Sequence, residues 1–208
     1  MQRKKRSPAA ARLASNKRAH LMREIVETLL FVGLVFLIVQ FAIHPVRVVD
    51  NSMEPQLLPN QLVIVNRTAY FFGGPSRGDV IAYYNPTVSG QECIGRVIAV
   101  PNDTISITTN GVTVNGVTLN ETYVQGNVVN QGIVPQTRLG QDKYFVLFDN
   151  RQVGGTSANG TSQNVCLDSR SFGGLPRQNI IGRAVLVFWP LSQFGGISNF
   201  SDVFKNVH

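Results

Sequence analysis

Asp50-Asn51-Ser52-Met53-Glu54-Pro55 is the stretch on which the reading of this chain turns. A serine flanked by Asn and followed closely by Pro is, taken alone, the composition of a turn. Its setting makes Ser52 a candidate nucleophile. It stands just past one long apolar segment and just before a series of short β-branched runs. Ile25 to Ile43 is apolar except for Glu27, Thr28 and Gln40. Roughly 20 residues span a bilayer, so this reads as a slightly short spanning helix. A buried core helix is one alternative. A cleavable signal peptide is another, but its apolar core would run about 7–15 residues and end in small residues. The exit here is Phe41-Ala42-Ile43-His44-Pro45, and Pro45 is expected to end the helix.

Residues 1–27 hold eight basic and two acidic residues, against eleven and ten in the remainder, so the net charge of +7 belongs to a tail. A nucleic-acid-binding domain would carry that charge on its folded face, so no nucleic-acid partner is expected. A basic tail ahead of an apolar segment predicts a single-pass protein of the plasma membrane, in contact with lipid. Its N-terminus would lie inside and its C-terminal domain outside.

Downstream, the runs Val46–Val49, Gln61–Asn66, Cys93–Val100, Tyr144–Phe148 and Ile180–Trp189 read as strands, and Arg77–Tyr84 as a turn that becomes a strand. Asn110-Gly111 and Asn115-Gly116 break Thr104–Leu119 into a β-meander. Residues 120–142 read as polar loop with an edge strand, and Asp168 to Gly173 as a turn. Gly182 marks a bulge in the last strand. Phe71 and Phe72 fall in a loop before Gly73-Gly74-Pro75; such aromatics pack into a core or lie at a membrane interface. No segment after the membrane sustains a 3.6-residue period, so the fold class is mainly β behind one transmembrane helix. The expected organisation is a basic cytoplasmic tail over 1–24, a transmembrane anchor over 25–44, a β domain of two β-rich lobes over 46–190, and a tail over 191–208. Within the domain, 109–143 is the smaller lobe and 152–165 a flexible loop.

Several short motifs in register resemble the bacterial type I signal peptidases, membrane-bound serine peptidases that remove signal peptides. The motifs are Ser52-Met53-Glu54-Pro55, Arg77-Gly78-Asp79-Val80, Arg96-Val97-Ile98 with Pro101 and Asp103, Asp149-Asn150-Arg151, and Asp168-Ser169-Arg170 with Gly173. The resemblance implies a Ser–Lys dyad, whose neutral lysine takes the serine proton, and no cofactor or metal. It makes Ser52 the nucleophile and its N–H part of the oxyanion hole. The substrate, the signal peptide of an exported preprotein, would pair as an added strand. Met53 and Ile81 become apolar walls for it. Asp149, Arg151, Asp168 and Arg170 become supports that hold turns around the site.

The same comparison places Gly95 where the lysine should be. Arg96 is always protonated, Lys143 points to solvent, and His20, His44 and His208 are poorly placed. Cys166 replaces a serine expected to position the lysine, Asp50 replaces a small oxyanion-hole residue, and Phe148 replaces a glycine. Three readings follow: a signal-peptidase-like endopeptidase with a base not recognised, an inactive homologue that binds exported or signal segments, or a partner of an active paralogue. On this reading a lysine restored at 95 should restore part of the activity, more so with Cys166→Ser. Cys93 shares a strand face with Gly95. Two free buried thiols at Cys93 and Cys166 are the default expectation, and a disulfide the alternative.

Overall fold

The computed structural model describes residues 8–124, 132–153 and 166–208. Helix α1 runs Pro8–Ala42. From His20 to Ala42 it is long and apolar enough to cross a bilayer, with mean hydropathy 2.4. Leu29, Leu30, Phe31, Leu34 and Phe36 leave no polar face, and all are exposed. A helix apolar all round has no water-facing side. The helix stops at Ala42, and Pro45 sits inside the next strand, so Pro45 is not its terminator. That strand is an edge strand, where a missing N–H costs no ladder bond.

The remainder, Ile43–His208, is a separate compact unit. Its larger sheet comprises β1 (Ile43–Arg47), β2 (Leu62–Asn66), β3 (Val80–Tyr84), β4 (Glu92–Ala99), β9 (Lys143–Leu147), β10 (Leu175–Pro176), β11 (Ile180–Trp189) and β12 (Gly195–Gly196). The order is β1-β2-β11-β3-β4-β9-β10, with β12 beside β11. The smaller sheet is β7-β6-β5-β8, from β5 (Thr104–Thr108), β6 (Gly111–Val114), β7 (Val117–Thr118) and β8 (Val134–Arg138). It therefore takes in Thr104–Thr108 as well as strands within 109–143. Asn115 and Gly116 both have positive φ, 48° and 82°, as a tight hairpin between β6 and β7 requires. Residues 154–165 of the loop expected over 152–165 lie outside the described residues.

Each sheet has its own core. Val63, Val65, Ile81, Val97 and Phe148 are buried in the first, and Ile105, Ile107, Val112, Val114 and Leu147 in the second. The alternation along Leu62–Asn66 and Thr104–Thr108 follows the two-residue period of a strand with one face covered. Gly182 lies at the expected irregularity, where the β11–β3 register shifts. A Cβ there would stand 2.4 Å from the Asn66 carbonyl oxygen, so only glycine fits.

The larger sheet curls. In its order three strands separate β1 from β4, which on a flat sheet puts them about 19 Å apart. Yet the His44 Nε2 on β1 lies 3.1 Å from a carboxylate oxygen of Glu92 on β4. Curling brings the run after β1 alongside the start of β4, and that juxtaposition creates the site. The C-terminal segment, which shows no pattern in the sequence, is docked: Phe204 and Val207 are buried in the second core, and Arg77 donates to the Val207 carbonyl.

Candidate peptide-binding site at Ser52

Ser52 lies in a tight turn after β1, nearly buried at 4% exposure. The turn is fastened from the other side of the site. Asn150 N donates to the Ser52 carbonyl at 2.9 Å, and the Asn150 side chain donates to the Asn51 carbonyl. Asp50 Oδ1 accepts the Ser52 N–H at 3.0 Å. That N–H, which the family resemblance makes an oxyanion-hole donor, serves a carboxylate here. Asp50 Oδ2 is buried without a hydrogen-bond partner in the structure.

Gly95 lies on β4 opposite Ile81, and the space its side chain would enter is filled. A Cβ there would stand 2.6 Å from Val146 Cγ1 and 3.3 Å from Tyr83 Cε1. Tyr83 is fully buried and donates its hydroxyl to the Leu167 carbonyl at 2.7 Å. Burial, with the Asp168 and Asp50 carboxylates nearby, pushes its phenol far above the usual value. Tyr83 therefore keeps its proton and supplies no base. A lysine side chain at 95 would meet Val146 and Tyr83 before it could extend toward Ser52. A strand glycine covered by a neighbouring aromatic is a known packing device, and the sequence signal was there in Tyr83, diagonal to Gly95 across the β3–β4 ladder.

Cys93 and Cys166 are joined in a disulfide with Cα atoms 5.7 Å apart, so the default expectation of two free thiols does not hold. The bond ties the chain just before α2 (Ser169–Phe172) to β4, beside the groove. It closes a loop of sequence separation 73, for which chain entropy gives about 4 kcal/mol of stabilisation. Reduction, or paired Cys93→Ala and Cys166→Ala replacement, is expected to lower the urea midpoint accordingly. Thiol titration in denaturant without reductant should find no free thiol; two titratable thiols would rule the bond out.

The remaining support residues form a buried polar frame. Arg96 binds Asp149 through two N–H groups, at 2.8 and 2.6 Å. Burial pushes the Asp149 carboxyl up and the Arg96 guanidinium pulls it back. Asp168 caps α2 through the Arg170 N–H and also receives the Phe148 N–H. Arg170 reaches the Arg151 and Val153 carbonyls. Arg151 in turn pairs with Glu121 on the chain following β7, so the frame spans both sheets. Lys143 is exposed on β9.

An open groove of about 530 Å³ runs between Val46, Arg47 and Val49 on one side and Gly90, Gln91 and Glu92 on the other. Next to Ser52 it narrows to a space of about 10 Å³ between Val48, Asp50 and the Cys93–Cys166 pair, room for one water. Met53 and Ile81, expected as walls, are both fully buried in the first core and line neither space. The groove has strand edges on both sides. Among the described residues β1 pairs only with β2, and β9 engages β4 only from Arg96 onward. His44 and Glu92, bridging the mouth, were not foreseen; their pairing depends on the curl, which no local pattern encodes. Among the described residues no group of three metal-ligating side chains occurs.

The model of the family described as signal peptidase, peptidase S26, matches residues 21–189, and the chain belongs to that family. It is 34% identical over 154 residues to the signal peptidase I of Leptolyngbya laminosa, covering 70% of this chain and 68% of that protein. A probable signal peptidase I-1 of Synechocystis sp. is 32% identical over 170 residues, with 78% and 80% covered. Signal peptidase IB of Staphylococcus aureus is 27% identical over 197 residues, with 83% and 93% covered. A crystal structure of a signal peptidase I from Enterococcus faecalis V583 aligns at 27% identity with a TM-score of 0.40, covering 52% of this chain and 95% of that one.

Proposed function

We propose that this chain is a signal-peptidase relative that keeps the peptide groove and has lost the hydrolytic step. It binds extended segments of exported proteins, signal-peptide regions among them, at the membrane face outside the cell. The observation that carries this reading is the Ser52 N–H held by the Asp50 carboxylate. An oxyanion forming at Ser52 would lose that donor and meet a negative charge in its place. Gly95, sealed by Val146 and Tyr83, removes the base by which the family resemblance would activate the serine. The groove is spared both changes: its two strand edges offer backbone pairing to an extended chain. A protein that holds segments without cutting them acts by protecting or presenting them, and an active paralogue is the natural recipient.

The test is binding of a fluorescent peptide spanning an Ala-x-Ala signal-peptide junction to the full chain in lipid nanodiscs. Saturable binding with the peptide recovered whole is expected. Val49, 59% exposed on the groove wall, gives the control: Val49→Trp fills the groove and should weaken binding about tenfold, or about 1.4 kcal/mol. Binding that ignores Val49→Trp, or no saturable binding, would end the proposal.

A further inference from the structure

We infer that the groove selects the free amino end of a polypeptide, whose α-ammonium sits at the narrow end against Asp50 Oδ2 with the Ser52 hydroxyl beside it. This rests on the peptide-binding reading above and names the ligand class of that same groove: a chain terminus, not the middle of a chain.

The shape of the groove sets the direction of its ligand. Residue numbers rise toward the narrow end along both walls, from Val46 to Asp50 on one and from Gly90 to Ile94 on the other. Val48 gives its N–H to the Gln61 carbonyl and takes the Asn60 N–H on its own carbonyl. Strand alternation turns the backbone groups of Arg47 and Val49 the other way, and both residues line the groove. A peptide with its amino end at the narrow end runs antiparallel to both walls and pairs with those groups. It cannot run on past Asp50. The space of about 10 Å³ there admits one group the size of a water, which a terminal ammonium is and a continuing backbone is not.

Charge decides which terminus fits. Asp50 Oδ1 serves the Ser52 N–H, but Oδ2 is buried without a hydrogen-bond partner in the structure. A buried carboxylate oxygen without a donor is costly, and a cationic N–H donor offsets that cost best. The other charged groups of the lining are engaged elsewhere. Arg47 donates to Asn60 Oδ1 at 2.7 Å, and Glu92 is bridged by His44 at 3.1 Å. A carboxyl end would bring a second negative charge against Asp50; an amino end brings the opposite one. The carboxylate that opposes an oxyanion at Ser52 thus suits an ammonium in the same place. The class of reaction that supplies such an end is hydrolysis of a peptide bond in an exported precursor, which leaves a new amine on the downstream product.

The probe is a short peptide beginning with Ala and carrying a fluorophore at its carboxyl end, with its amino end free or acetylated. It is titrated into the full chain in lipid nanodiscs. The free form should bind about tenfold or more tightly, as a hydrogen bond to a charged group allows. An acetylated peptide with an internal lysine should bind as weakly as its acetylated parent. Asp50→Asn keeps an oxygen for the Ser52 N–H and replaces the charge, so free and acetylated forms should bind it alike. Equal saturable binding of both forms to the wild type would overturn the selection of an amino end and leave the peptide-binding reading standing. Saturable binding of neither would overturn both. A preference for the free end that persists in Asp50→Asn would overturn the assignment to Asp50. Rescue by the internal lysine would overturn the choice of a terminus.

Discussion

Incubated with a preprotein bearing an Ala-x-Ala junction, the purified full-length chain will release no more product than its Ser52→Ala variant. General-base catalysis contributes about 10²–10⁴ in rate, and one oxyanion donor about 10²–10³. On the proposed reading both are compromised here, the first by Gly95 and the second by Asp50 on the Ser52 N–H. The chain should therefore fall on the order of 10⁴-fold or more below an active relative assayed alongside it. Restoring lysine will not help. In Gly95→Lys the new Cβ meets Val146 Cγ1 at 2.6 Å, a β-branched side chain with little room to turn. The expected outcome is background cleavage together with about 1–3 kcal/mol of lost stability from overpacking. Adding Cys166→Ser breaks the disulfide and lowers stability further. Cleavage by the wild type that disappears in Ser52→Ala would show a base that the geometry does not reveal, and would overturn the binding-protein reading.

The largest stability effect is expected at Arg96. The side chain is wholly buried and all five of its N–H donors are used. Two go to Asp149, two to the Gly78 and Ser198 carbonyls, and one to Gln56. Its guanidinium carbon lies 4.4 Å from the centre of the Tyr123 ring and 5.1 Å from that of Phe200. Asp149→Ala leaves this cation buried and unpaired, at a cost of about 3–5 kcal/mol. Arg96→Met strands the carboxylate instead and should cost a similar amount. The pair Arg96→Met with Asp149→Leu should cost less than the sum of the two single changes, since it leaves neither charge behind. Urea unfolding followed by the fluorescence of Trp189, the single tryptophan, measures all of these. Additive losses would mean the two residues act separately.

Much of the fold was legible because its signals are local. The run Ile180–Trp189 is β11 to the residue, and Gly182 marks the irregularity in it. Asn115-Gly116 makes the turn its composition requires. The departures at Asp50 and Gly95 were visible as residue types, but their consequences were not. Whether Asp50 faces the Ser52 N–H, and whether the room beside Gly95 is empty or filled, depends on side chains from β3 and β9 that only tertiary packing brings there. Met53 and Ile81 lie in the first core; apolar character suits a groove wall and a core equally, so residue type alone does not choose between them. The Cys93–Cys166 bond needed the register of a distant loop. The docking of Ser198, Phe204 and Val207 rests on hydrogen bonds and contacts to both sheets, without any periodic pattern in that segment.

β11 lies between β2 and β3 in the larger sheet and pairs with both. Strands made early on the ribosome are therefore neighbours of a strand made late. Until Ile180–Trp189 emerges, the β1–β2 and β3–β4 hairpins each hold an open edge, the kind of surface on which unfinished chains aggregate. Such long-range pairing folds slowly once it can begin, and synthesis at about 5–20 residues per second adds several seconds of waiting. The nascent domain is thus a natural client for chaperones during that interval, and its assembly is timed by the arrival of one strand.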